Sequence, residues 1–217
     1  MLGDVADTVK YARLVLELVP EDDHLGRGGA AGLLGLAYWA NGDLEAAHRT
    51  FSEGMEHLQR GGNIADAVHG TTVPADIRIT QGRLHAATRT YEQAWLLVTE
   101  QSEPVFWGTA DLYVGMSELQ REHNDLSAAT QHLHTSKELC ERTGFPQNWS
   151  RWYVAMARIR QAEGDLDEAL DLLHEAERLY VKDFYPNVRP VAAVRTRVWI
   201  TRGQLGEALG WVREQGL

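Results

Sequence analysis

The stretch "AEGDLDEALDLLHEAERLY", residues 162–180, reads as the end of one helix, a two-residue corner and the start of a second. Its kernel, Gly-Asp-Leu-x-x-Ala, returns as "NGDLEAAHRTF" at 41–51, and in weaker form as "QGRLHAATRTY", "HNDLSAATQHL" and "RGQLGEALGWV". With Gly42, Gly82, Asn124, Gly164 and Gly203 in register, the spacings are 40, 42, 40 and 39 residues. A fixed period of this size is the mark of stacked repeats. Each corner residue is Gly or Asn, the types that enter the left-handed conformation needed to stop a helix. Asp43, Asp125 and Asp165 follow three of the corners, where a carboxylate caps the free N–H groups of the next helix.

The repeat also carries its own packing code. Five positions after each corner stands a small residue, Ala47, Ala87, Ala129, Ala169 or Ala208, and four further on an apolar one, Phe51, Tyr91, Leu133, Leu173 or Val212. Small then large at i, i+4 lets two helices approach at one level and interlock at the next. Upstream of the corners, apolar residues recur at helical spacing, as in Leu33, Leu34, Ala37 and Tyr38. First helices are predicted near 24–41, 63–81, 104–122, 147–163 and 187–202, and second helices near 43–60, 84–100, 125–142, 165–181 and 204–214. An N-terminal helix near 4–19 precedes them. Pro74 falls inside the segment 63–81, where it is expected to kink or break the helix. No segment alternates with period two between turn signals, so the expected fold is an all-α solenoid, one repeat domain over 1–217 with pairs near 24–60, 63–100, 104–142, 147–181 and 187–214.

Composition agrees with this class and excludes others. The apolar fraction of 44% and charged fraction of 24% are those of an ordinary folded, soluble chain. No apolar run reaches the length of a membrane span, and the N-terminus resembles no signal peptide. A single cysteine, Cys140, fits a reducing compartment, and a cytoplasmic protein is expected. The net charge is −10; residues 147–217 contain ten basic and ten acidic side chains, so the whole excess lies in the first 146. Such a surface is a poor one for phosphate backbones, and direct nucleic-acid binding is not expected.

Beyond the periodicity, Leu34, Gly35, Tyr38, Ala47, Phe51 and Gly54 fall where the tetratricopeptide repeat places its packing residues, although the period here is near 40 rather than 34. "LGLAYWANGDLEAAHRTF", "ADIRITQGRLHAATRTYEQA", "RWYVAMARIRQAEGDLDEALDLLHEAERLY" and "FYPNVRPVAAVRTRVWITRGQLGEALGWVREQGL" resemble the central sensor region of the large ATP-dependent LuxR-type bacterial transcription regulators, the MalT-like group. The resemblance implies a right-handed superhelix lying between an N-terminal ATPase and a C-terminal helix-turn-helix. Neither flank is present in this sequence, so a fragment of a larger regulator is expected. It further implies a non-enzymatic module that takes an effector or partner; the rival reading is a protein-interaction scaffold without a small-molecule effector.

In tetratricopeptide arrays the first helix of each pair lines the concave groove. Projected from each corner, the groove positions are Trp39, then His69 and Asp76, then Trp107, Asp111 and Glu118, then Arg151 and Arg158, and last Arg197. An acidic middle thus faces a basic end, a pattern suited to orienting a polar ligand or a peptide. The same charges could instead pair with one another, and Trp39 and Trp107 could pack between repeats. Self-association through uncapped ends is a further expected mode, since each end would expose an apolar helix face.

Other chemistry is not indicated. "GRGGAA" at 26–31 matches a dinucleotide pattern but follows no strand, and is read as a helix with small packing residues. His132 and His134 are two apart on a helix and point to different faces, no H-E-x-x-H occurs, and Cys140 stands alone, so neither a metal site nor a cofactor is expected. No nucleophile elbow or phosphate-binding loop is found, and no catalytic residue is assigned. Trp149, Trp152 and Tyr153 cluster at the start of a first helix, as a stacking platform or as packing between repeats.

Overall fold

The structure, a computed structural model, describes residues 5–100, 108–143, 146–180 and 190–216. Among these residues there are twelve helical segments and no strands: α1 Val5–Leu18, α2 His24–Ala40, α3 Leu44–Arg60, α4 Ile64–Gly70, α5 Thr72–Thr80, α6 Leu84–Thr99, α7 Thr109–Glu122, α8 Leu126–Thr143, α9 Pro146–Glu163, α10 Leu166–Arg178, α11 Val191–Arg202 and α12 Leu205–Glu214. The architecture is an all-α solenoid.

The corners are built as their residue types require. Gly42, Gly82, Gly164 and Gly203 have φ of 81°, 71°, 88° and 80°, and Asn124 reaches 62°. Asp43, Asp125 and Asp165 then accept hydrogen bonds from the backbone N–H groups of Ala46, Ala128 and Glu168, at 3.1, 2.9 and 3.0 Å. Gly62, with φ 81°, makes a sixth such corner between α3 and α4, and Asn63 caps the helix after it by accepting from Asp66 N. Ala47, Ala87, Ala129, Ala169 and Ala208 are all buried, as are Phe51, Tyr91, Leu133 and Leu173, whereas Val212 is half-buried.

The segment predicted as one helix over 63–81 is two, separated at Thr71. Pro74 has no N–H to give the Gly70 carbonyl, and its ring clashes with that oxygen, so the ladder is cut one turn before the proline. The chain passes on through Thr71 N to Val68 O at 3.2 Å.

The core runs as a series of patches, each bridging neighbouring pairs, which is the arrangement of a solenoid. Leu36, Phe51, Val73 and Ile77 join α2 and α3 to α5. Val68, Tyr91, Leu112 and Leu119 join α4 and α6 to α7. Val114, Leu133, Trp152 and Ile159 link α7, α8 and α9, and Ala157, Leu173 and Val198 link α9, α10 and α11.

The first hairpin, α2 with α3, is drawn together by absent side chains. A Cβ on Gly35 would lie 2.7 Å from Phe51 Cβ, one on Gly54 2.8 Å from Gly32 N, and one on Gly28 2.8 Å from Leu58 Cδ2. The "GRGGAA" segment therefore lies within α2, where Gly28, Ala30 and Ala31 are buried by helix packing.

Candidate functional site

The projected groove residues lie on successive first helices. His69 is near the end of α4, Asp111 in the first turn of α7, and Arg151 in the second turn of α9. They occupy equivalent repeat positions and meet in space. Arg151 Nη1 donates to Asp111 Oδ2 at 2.6 Å, and His69 Nδ1 lies 3.0 Å from the same oxygen. Close approach of the helices makes this possible: a Cβ on Gly108 would stand 2.7 Å from His69 Cβ.

Asp111 and His69 are buried, their side chains only 3% and 6% exposed, while Arg151 remains 33% exposed. Burial alone would push the Asp111 carboxyl up. The Arg151 guanidinium, with the His69 imidazole beside the same oxygen, outweighs it and holds the group below its ordinary value. Asp111 Oδ1 is buried with no hydrogen-bond partner among the described residues.

Seven residues along, the next level repeats the theme. Arg158 of α9 pairs with Glu118 of α7, and its Nη2 lies 3.7 Å from Glu122 Oε1. Arg121 bonds Glu118 at 3.1 Å and also pairs with Glu122. Asp111 to Arg151 and Glu118 to Arg158 are each 40 residues apart, one repeat. The two rungs therefore tie α7 to α9. Arg121 and Glu122 were absent from the sequence projection; the signal available was their place one turn from Glu118 on a helix already marked as acidic.

The remaining projected residues are dispersed. Trp39 is half-buried against the patch of Leu36, Phe51, Val73 and Ile77. Asp76 is half-buried on α5, and Arg197 is exposed on α11. Trp107 lies outside the described residues. Among the described residues, the rungs bring together five of the nine: His69, Asp111, Glu118, Arg151 and Arg158.

The aromatic cluster at the start of α9 is packing. Trp152 is buried, its Nε1 donates to Leu133 O at 2.7 Å, and its ring meets Tyr153 edge-on at 5.2 Å. Trp149 stands 6.2 Å from Trp152. On α8, His132 leans on the Tyr113 ring at 5.8 Å while His134 is exposed, so the two do point apart. No group of three or more potential metal ligands occurs among the described residues, and no helix among them is long and apolar enough to cross a membrane.

A shallow cleft of about 140 Å³ opens at the α4–α5 break. Ser52, Met55 and Gln59 of α3 and Thr90, Gln93 and Leu97 of α6 form its walls. Ala67, Thr71 and Pro74 form its floor. Neither His69 nor any other rung residue lines it, so the cleft and the ionic rungs are separate features.

Comparison with solved structures places this architecture among tetratricopeptide-like repeat proteins. BtubC (BKLC) from P. vanneervenii superposes with a TM-score of 0.59 at 15% identity, over 98% of this chain and 87% of that one. Nearly identical TPR-like repeats ascribed to a kinesin light chain of Podosopora anserina give 0.55 at 15% identity, over 81% and 84%. Both likenesses concern the fold alone. No curated protein sequence matches the chain. The family model of the MalT-like TPR region matches residues 1–216. With the corners, the small-large code and the stacked first helices in place, the chain belongs to the MalT-like TPR region family.

Proposed function

We propose that this chain is the non-enzymatic sensing module of a MalT-like transcription regulator, acting in the cytoplasm, with an ATPase and a DNA-binding helix-turn-helix elsewhere in the regulator to read its state. The observation that carries this reading is the ionic connection between α7 and α9 on the first-helix side. Arg151 and Arg158 are partly exposed, 33% and 20% by side chain, yet each holds a more deeply buried carboxylate of the preceding pair. A polar effector or acidic peptide that takes over either guanidinium loosens α7 from α9 and changes the curvature of the array. It does so only to the extent that it binds one curvature better than the other.

The test is a thermal-shift panel of oligosaccharides, nucleotides, amino acids and signalling metabolites, followed by direct titration of any hit. A ligand at 100 times its Kd adds about 2.7 kcal/mol of stability, and each kcal/mol moves Tm by about 2–4 °C in a chain of this size. Arg158→Ala is expected to weaken the hit; unchanged affinity would place the ligand elsewhere.

A second reading, a protein-interaction scaffold without a small-molecule effector, is favoured by one observation. Tyr11, Leu14, Val15 and Leu18 form an exposed i, i+3, i+4, i+7 stripe on α1, and Ile200, Leu205 and Leu209 are exposed on α11 and α12. A silent ligand panel together with a mass that rises with concentration in light scattering selects this reading.

A further inference from the structure

Away from the α7–α9 rungs, the first hairpin brings two imidazoles face to face. His24 opens α2 and His57 lies in the last turn of α3, 33 residues apart in sequence. Their Nδ1 atoms stand 3.2 Å apart, with the rings tilted by 41° and their centroids separated by 5.4 Å. The frame beneath them is tight: a Cβ on Gly61 would lie 3.3 Å from His24 Cβ, and Gly28 presses on Leu58. Two nitrogen lone pairs at this distance repel unless something sits between them, either a shared proton or a cation. Two imidazoles on one metal ion, with metal–nitrogen bonds of about 2.0–2.1 Å and a near-tetrahedral angle, hold their nitrogens roughly 3.3 Å apart.

We propose that His24 and His57 form a two-histidine clamp for a borderline divalent ion such as Zn²⁺, Ni²⁺ or Cu²⁺, bound through both Nδ1 atoms. Imidazole suits these ions, and the half-buried rings leave the remaining positions open to water. The neighbouring guanidinium does not fill the gap: Arg27 Nη1 is committed to the Leu16 and Val19 carbonyls, at 3.1 and 3.2 Å. A bound ion ties the start of α2 to the end of α3 and stiffens the first pair. Ligand spacing within one helix could not reveal such a site, because its two donors come from opposite ends of a hairpin.

The test is calorimetric titration of the 217-residue chain with Ni²⁺ and with Zn²⁺ near neutral pH. One saturable equivalent is expected, weakened by His24→Ala and by His57→Gln beyond the roughly 10–100-fold that a lost outer-shell partner costs, and untouched by His85→Ala on the exposed face of α6. Absence of a saturable equivalent overturns the clamp. So does equal binding by both clamp variants, or loss in only one of them. Protons compete for the same lone pairs, so wild-type affinity must also fall as the pH drops through the imidazole range. An affinity indifferent to pH overturns the proposal without any variant.

Discussion

The first hairpin and the α7–α9 junction solve the same problem, holding neighbouring helices at close range, by opposite means. In α2 and α3 glycines bring backbone against backbone, and a Cβ on Gly54 would lie 2.8 Å from Gly32 N and 3.0 Å from the Gly28 carbonyl. At α7 and α9, charged side chains reach across, with Asp111 buried between Arg151 and His69. The first contact is made of shape and is indifferent to charge; the second depends on three ionisable groups remaining in the right state. One region resists salt but not added volume, and the other tolerates neither loss of a partner nor loss of charge.

The largest effect expected is at the ionic side. Arg151→Ala takes the guanidinium from the buried Asp111 carboxylate, and leaving a buried charge without its partner costs about 3–5 kcal/mol. Chemical denaturation gives the value; a loss below about 1 kcal/mol, the range of exposed pairs, would erase the distinction between the two regions. Gly54→Ala is the matching insult to the hairpin. Overpacking against immovable backbone costs typically about 1–3 kcal/mol, and the same denaturation measurement should show no dependence of this loss on salt. The N-caps serve as a reference common to both regions: Asp43→Ala beside the hairpin and Asp125→Ala beside the ionic rungs should each cost about 1 kcal/mol. Unequal values would mean that the two neighbourhoods differ in more than their interhelical contacts.

Acid separates the regions in order. Burial, then Arg78, lowers the pKa of His48 on α3, and burial, then Arg27 and His24, lowers that of His57, both from 6.5. A histidine with a depressed folded pKa favours the neutral form, so its contribution is complete above 6.5 and is lost as the pH falls through the depressed value. Asp111 is likewise lowered, from 3.8, with the Arg151 and His69 interactions outweighing burial, so its contribution survives until the pH falls below 3.8. Region-resolved amide exchange at stepped pH should show α2 and α3 loosening first and α7 with α9 only afterwards. The reverse order would contradict the assignment of causes.

Local rules made the frame legible in the sequence. The five corners were readable because a positive φ selects Gly or Asn with little regard to tertiary context, and the cut near Pro74 because a missing N–H cannot be supplied by a neighbour. Gly62, a corner of the same type, escaped because it lies between pairs, outside the 40-residue register, though the Asn63 cap beside it was a usable sign. Projection from the corners did put His69, Asp111 and Arg151 at equivalent positions. Whether such residues face a ligand or each other depends on the rotation between pairs, which no local pattern encodes, and so both readings stood open. His24 and His57 were invisible for a related reason: their meeting is set by the length of two helices and the tightness of the glycine contact, not by any spacing between them.

The corner geometry makes the pairs look like identical bricks, yet the charged rungs make them polar in order. His69, Asp111 and Arg151 hold the same place in three consecutive pairs, and only the sequence imidazole, carboxylate, guanidinium lets the middle one serve both neighbours. Exchanging the third and fourth pairs would set a guanidinium against His69 and leave the carboxylate facing Pro190, which has no charge to offer. Across these three pairs the array thus carries a keyed connector, in which charge admits one order of assembly.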